Sequence, residues 1–220
     1  MRKPLIIFDC DGVLVDSEYI FCSIDAEELT KAGYPVTTAE YIRRLSGRSS
    51  ESIYNLIENE TGKKLTDDFR QDVWEKIQRA YAERLQPMPA VENVLAAITD
   101  KCVASGGSLQ KINLSLTLTK LDSYFAEHQI FSAAMVDRGK PAPDLFLFAA
   151  NHMGFAPENC IVIEDSLPGV KAGKAAGMKT FGFVGGDHIL DNQHATMLKN
   201  AGADLVFDDM DDLVQLINSN

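Results

Sequence analysis

The sequence predicts an α/β fold: a Rossmann-like parallel sheet core with an inserted four-helix cap domain. Three observations lead there. Six short apolar runs, LIIF (5–8), KCVAS (101–105), IFSAAMV (130–136), CIVIE (160–164), TFGFV (180–184) and DLVF (204–207), are continuous rather than alternating, as strands covered on both faces are. From Ser105 onward helix-like segments separate them at the pace of βαβ units, the signature of a parallel sheet. Between Asp16 and Gln86 no strand-like run occurs.

Taken in order, LIIF is the first strand and lies within residues 1–15, the first piece of the core. Residues 16–86 then read as helices over 17–32, 38–46, 49–61 and 66–85, punctuated by Gly33, Gly47 and Gly62; glycine just past a periodic segment is a helix stop. Thr66 followed by Asp67 and Asp68 suits a helix start, with acids in the first turn. The prolines of PMP (87–89) break the last of these helices before AVENVLAAIT (90–99) resumes. The core therefore returns over 87–220, with the remaining strands and their crossover helices. In GVKAGKAAG (169–177) the lysines rule out a membrane face, and the glycines are expected to pack a helix closely on the sheet. The acids of VFDDMDDL are expected to cap the last helix.

Composition bounds the function. At 220 residues the chain buries a full core, and its 45 % hydrophobic and 24 % charged residues are those of a globular protein. A net charge of −11 argues against nucleic acid as a partner but leaves room for a small anion in a local pocket. Cys10, Cys22, Cys102 and Cys160 show no C-x-x-C spacing, so reduced thiols are expected, buried at Cys102 and Cys160, which each open an apolar run. The N-terminal apolar run reaches Asp9 too soon for a signal peptide, and no run of about 18 apolar residues is present to span a membrane. A soluble, cytoplasmic protein is the expectation, as a monomer or weak dimer.

Four stretches carry candidate chemistry: FDCDG (8–12), ASGGS (104–108), RGKPAPD (138–144) and VIEDSLPGVKAG (162–173). Singly each has an ordinary reading. Asp-Gly marks a hairpin whose arms would be LIIF and VLV; a serine and two glycines make a β-to-α turn; a lysine before prolines is a surface loop; paired acids suit a helix N-terminus. All four at strand ends, in this order, are not explained that way. Ligands of an open parallel sheet bind outside the carboxyl ends of its strands, where these residues would meet.

Together the four stretches resemble the motifs of the haloacid dehalogenase-like hydrolase superfamily, in the subgroup with a helical cap after the first strand. The resemblance covers nearly the whole chain and implies a Mg²⁺-dependent phosphotransferase, usually a phosphatase, working through a phosphoaspartate. Asp9 is similar to the family nucleophile. Residues two apart on an extended strand end project the same way, which sets Asp11 beside it to protonate the leaving oxygen and later deprotonate water. Asp9, the backbone carbonyl of Asp11 and Asp165 would hold Mg²⁺, with Glu164 acting through water or orienting a ligand. Lys140, the Ser105 hydroxyl and the Gly106 amide would meet the phosphate oxygens. The family often carries a polar residue right after this serine; here it is Gly106. The cation is needed because a carboxylate about 4 Å from a phosphate dianion, at an effective dielectric constant of about 20, is opposed by about 8 kcal/mol.

In the cap, RRLSGRSSE (43–51) matches the family's substrate-recognition loop at Gly47 and Arg48, while Arg43 and Arg44 read as a solvated helix face. Asp11 favours phosphate esters over carbon–halogen substrates, since the dehalogenases lack an aspartate there. The competing reading is a β-phosphoglucomutase-like isomerase, whose first cap helix carries a histidine; DSEYIFCS (16–23) has none. His128, His152, His188 and His194 show no ligand spacing and receive no chemistry. The expected partner is a small phosphorylated metabolite of the sugar or sugar-acid phosphate class.

Overall fold

The LIIF run becomes β1 (Leu5–Phe8) in the computed structural model, which describes residues 3–219. The insertion follows as α1 (Glu18–Lys31), α2 (Thr38–Leu45), α3 (Ser50–Thr61) and α4 (Asp67–Arg84). The core then runs α5 (Val91–Ala97), β2 (Lys101–Ser105), α6 (Leu109–Leu118), β3 (Ile130–Ser132), α7 (Asp144–His152), β4 (Cys160–Glu164), α8 (Leu167–Ala175), β5 (Lys179–Phe183), α9 (Gln193–Asn200), β6 (Leu205–Phe207) and α10 (Leu213–Ser219). All neighbouring strands are parallel, in the order β3-β2-β1-β4-β5-β6.

Both faces of the sheet are covered, as continuous apolar strands require. Ile6 and Phe8 point into a core that also holds Phe181 and Phe183 and extends into the insertion through Phe21, Leu29 and Tyr41. Leu5 and Ile7 point the other way, onto Phe146 and Ala149 of α7 and Ala172 of α8. The insertion's helices start and stop on local signals. Thr37 and Glu40 form a capping box for α2, the Ser49 and Thr66 hydroxyls accept from Ser52 N and Phe69 N, and α3 ends on Gly62 in the left-handed region. No helix among the described residues is long and apolar enough to cross a membrane. The four cysteines are unpaired and buried.

The VLV segment forms no hairpin arm, so the ordinary reading of Asp-Gly fails, as the four stretches together imply: Leu14 N and Val15 N bond back to Cys10 O at 2.9 and 3.1 Å, coiling the chain just after β1. Two strand expectations need correction. IFSAAMV yields a strand only over Ile130–Ser132, because the Ser132 hydroxyl accepts from Ala134 N at 3.3 Å and turns residues Ala133–Met135 into a 3₁₀ turn. DLVF begins its strand one residue late, since the Asp204 carboxylate is drawn to Thr180 N at 2.7 Å. The C-terminal acids do cap, but a 3₁₀ turn ahead of α10: Asp209 accepts from Asp211 N at 3.0 Å.

Close packing of α8 on the sheet has a quantitative basis. A β-carbon on Gly173 would lie 2.4 Å from Oγ1 of Thr180, a buried and stiff β-branched side chain on β5. Overpacking costs about 1–3 kcal/mol, against a gain of about 1 kcal/mol for alanine over glycine in a helix. G173A should therefore lose up to about 2 kcal/mol of stability, read as a lower urea midpoint with unchanged slope. T180A should relieve the clash, so that G173A costs less in a T180A background than in the native one; a G173A chain more stable than the native one would contradict the packing account.

Candidate active site

The strand order reverses beside β1: β2 and β3 lie on one side, β4 to β6 on the other. Side chains at the carboxyl ends of β1 and β4 therefore border the crevice where ligands of such sheets bind. Asp9 follows β1 directly, with its N–H still bonded to Ile163 O at 3.0 Å, and Glu164 ends β4 with Asp165 next. Lys140, from the segment between β3 and α7, donates to Asp9 Oδ1 at 2.8 Å and Glu164 Oε1 at 2.6 Å, over the Phe146 ring at 5.0 Å. Residues separated by 131 positions thus share one ion pair.

Asp9, Glu164 and Asp165 are all buried, and one oxygen from each lies within 4.8 Å of the others. Burial pushes the Asp9 carboxyl well above the usual carboxylate range; Glu164 and Asp165 add to that, while Lys140 opposes it. Burial likewise disfavours the Lys140 ammonium, but Asp9 and Glu164 outweigh it and raise its pKa. Three buried acids facing one lysine leave an excess of negative charge, and all the donors are hard carboxylate oxygens. That set fits a divalent cation such as Mg²⁺. The approach is tight: Gly12 has φ +75°, and a β-carbon there would sit 2.1 Å from Asp165 Oδ2, so only glycine serves. Glu164 is the most engaged of the three, since its Oε2 also accepts from the amide and hydroxyl of Ser166, both at 2.8 Å.

Asp11 stands at the same edge. Its Oδ1 accepts from the Ser17 hydroxyl at 2.6 Å, and its Oδ2 pairs with Lys111 Nζ at 3.0 Å. Ser105, at the end of β2, is buried and accepts from Gly107 N at 3.2 Å. A β-carbon on Gly106 would meet nothing within 4 Å, so this stretch of backbone lies open to a ligand.

A cavity of about 520 Å³ opens over these groups, within the range of small-ligand sites, about 300–1,000 Å³. The insertion lines it with Arg48, Tyr54, Arg70 and Trp74. Gly47, at φ +75°, lies against the EDSLPG stretch that follows β4: a β-carbon would be 2.8 Å from Ser166 Cβ. Arg48 is exposed beside it. Arg70 is tied to Glu58 at 2.9 Å and lies 5.2 Å over the Tyr54 ring. Tyr54 and Tyr41 both donate to the buried Asp25 carboxylate, which anchors this wall. Arg44 pairs at the surface with Glu60 at 2.9 Å, and Arg43 is exposed, both as a solvated face predicts.

The structure brings Asp9, Asp11, Ser105, Gly106, Lys140, Glu164 and Asp165 to one sheet edge, with Gly47 and Arg48 across the cavity. Several groups escaped the sequence reading. His188, buried, donates from Nε2 to Asp165 Oδ2 at 2.9 Å, and His194 Nε2 reaches the Asp165 carbonyl at 2.6 Å. Asp165 raises the His188 pKa although burial lowers it. These contacts span more than twenty residues, so no spacing betrays them. Burial pushes Glu18, at the start of α1, up to about 7 against the pull of Lys111. Lys111 carried no local signal either: the residue one helical turn on, Ser115, is polar in the sequence, and its burial on α6 is a fact of the fold.

Comparison with known proteins agrees with this geometry. A sequence profile of the haloacid dehalogenase-like hydrolases matches residues 6–183. The 6-phosphogluconate phosphatase of Escherichia coli is 31 % identical over 189 residues, 85 % of each chain. The β-phosphoglucomutase of Bacillus subtilis is 30 % identical over 218 residues, 94 % of this chain and 90 % of that one. A crystal structure of a haloacid dehalogenase-like protein of unknown function from Agrobacterium tumefaciens superposes with a TM-score of 0.85 at 35 % identity, covering 99 % of both chains. With its motif residues gathered at one sheet edge and its profile match running from β1 to β5, the chain belongs to the haloacid dehalogenase-like hydrolase family.

Proposed function

We propose that the protein is a Mg²⁺-dependent phosphatase that hydrolyses a small phosphorylated metabolite, of the sugar or sugar-acid phosphate class, through a phosphoaspartate on Asp9. One observation carries this reading: a buried carboxylate, paired with Lys140 and flanked by two further acids, sits at the floor of a small-molecule cavity. The relatives named above, a phosphatase of 6-phosphogluconate and a phosphoglucomutase, support the substrate class.

Asp9, Asp165 and the backbone carbonyl of Asp11 would hold the cation, with Glu164 orienting Lys140 and Ser166 around it. Bound there, a divalent ion supplies the positive charge that lets a carboxylate meet a phosphate dianion. The Asp9 carboxylate attacks phosphorus, an acyl–phosphate bond forms, and the ester P–O bond breaks. Asp11 gives a proton to the departing alcohol oxygen and then takes one from the water that attacks phosphorus. The P–O bond to Asp9 breaks and inorganic phosphate leaves. Lys140, the Ser105 hydroxyl and the Gly106 amide stabilise the phosphoryl oxygens throughout. The inserted helices form the recognition side, and their closure excludes bulk water. Arg48 offers its fork to an anionic or hydroxylated substrate.

The mutase reading keeps some support from the B. subtilis relative. A hexose bisphosphate requirement for turnover of a sugar monophosphate would favour it over hydrolysis.

D9N should lower kcat for phosphate release from a sugar-phosphate panel by at least about a thousandfold; near-native turnover would rule out the covalent route. Mg²⁺ at about one hundred times its Kd should stabilise the native chain by about 2.7 kcal/mol, seen as a rise in Tm without substrate, with chelation reversing it. D165N should lose that rise, and a metal-independent Tm in the native chain would remove the cation from the mechanism. R48A should redistribute kcat/KM across the substrate panel; an unchanged profile would take Arg48 out of recognition.

A further inference from the structure

Lys111 is a lysine in the first turn of α6 whose side chain is only 14 % exposed. Its ammonium lies 3.0 Å from Asp11 Oδ2 and 4.6 Å from the centre of the Phe21 ring on α1. Asp11 Oδ1 is held from the opposite side by Ser17, just before α1. Both carboxyl oxygens are therefore engaged, one by the core helix and one by the entry to the insertion. Each oxygen keeps a second lone-pair position free for a proton.

A structural role explains this poorly. Replacing a buried ion pair by apolar side chains is often neutral or stabilising, so stability alone gives little reason to bury a lysine here. Binding of the transferring phosphoryl group is a weaker account too, because Lys140, not Lys111, contacts Asp9. What the pair does is remove the rotational freedom of Asp11. A misplacement of about 1 Å in a reacting group can cost about a hundredfold in rate, and an isolated aspartate at a strand end has ample room to move that far.

We propose that Lys111 is a positioning residue for Asp11, braced by Phe21 of the insertion, that holds the acid–base carboxyl in line for proton transfer to the leaving oxygen. This rests on the acid–base reading of Asp11 given above. The contact with Phe21 also makes the position of the carboxyl depend on how α1 packs against α6.

Leaving-group dependence tests it, because kcat/KM reports only the steps through departure of the first product. A sugar phosphate expels a poor leaving group and needs the acid, whereas 2,4-dinitrophenyl phosphate expels a good one. Acid–base catalysis is worth about 10²–10⁴-fold, so D11N should lower kcat/KM for the sugar phosphate at least about a hundredfold more than for the aryl ester. K111M should show the same selectivity, at about tenfold or more. K111R, which keeps the charge and can reach the same oxygen, should return the ratio to within about threefold of native. If K111M does not fold, K111Q is read in its place, with selectivity in the same direction. A selective D11N beside a K111M, or K111Q, that lowers both substrates in proportion would make Lys111 a substrate ligand or a structural residue and overturn the proposal. An unselective D11N would remove the acid–base reading and this proposal with it.

Discussion

The repulsion among three carboxylates buried at the ends of β1 and β4 organises this molecule. At an effective dielectric constant of about 20, two unit charges about 4 Å apart interact by about 4 kcal/mol, so Asp9, Glu164 and Asp165 are not stable neighbours by themselves. Everything around them answers that cost. Lys140 bridges two of the three, the Ser166 amide and hydroxyl engage the free oxygen of Glu164, and His188 donates to Asp165. Gly12 leaves out the one atom that would collide with Asp165. A site that concentrates negative charge in this way suits a divalent cation.

The parallel sheet makes the concentration achievable. All strands point their carboxyl ends to the same edge, so residues from four segments far apart in sequence meet there. The insertion leaves from that edge and comes back to it, carrying Gly47 onto Ser166 and Tyr54 onto the cavity wall. Its helices share a buried polar centre. Asp25 is desolvated, which raises its carboxyl pKa, but the hydroxyls of Tyr41 and Tyr54 pull it back and tie α1 to α2 and α3. A satisfied network of this kind favours one arrangement of the three helices.

The core and the insertion are physically continuous. One hydrophobic cluster runs from Ile6 and Phe8 through Phe21 and Leu29 to Ile53 and Tyr81, and Lys111 links α6 to α1 at its edge. The acidic cluster thus belongs to the core and much of the cavity wall to the insertion, and the first helix of the insertion touches both.

Local patterns carried much of this in the sequence. Continuous apolar runs located every strand, since burial on both faces leaves no alternation. Helix caps and stops such as Thr66 and Gly62 placed the insertion's helices within a residue or two, because capping is settled by near neighbours. Asp9, Ser105, Lys140 and Asp165 stood out by their motifs. The strand made from IFSAAMV was overextended because the Ser132 hydroxyl offers the backbone another partner, which apolar periodicity does not register. Tertiary structure alone decided that His188 lies against Asp165, that Lys111 and Ser17 hold Asp11, and that Glu18 is desolvated. A strand or a cap depends on residues a few positions away and leaves its trace in spacing; the charge state and orientation of a buried side chain depend on groups up to 131 positions apart, which only the packed fold brings within reach.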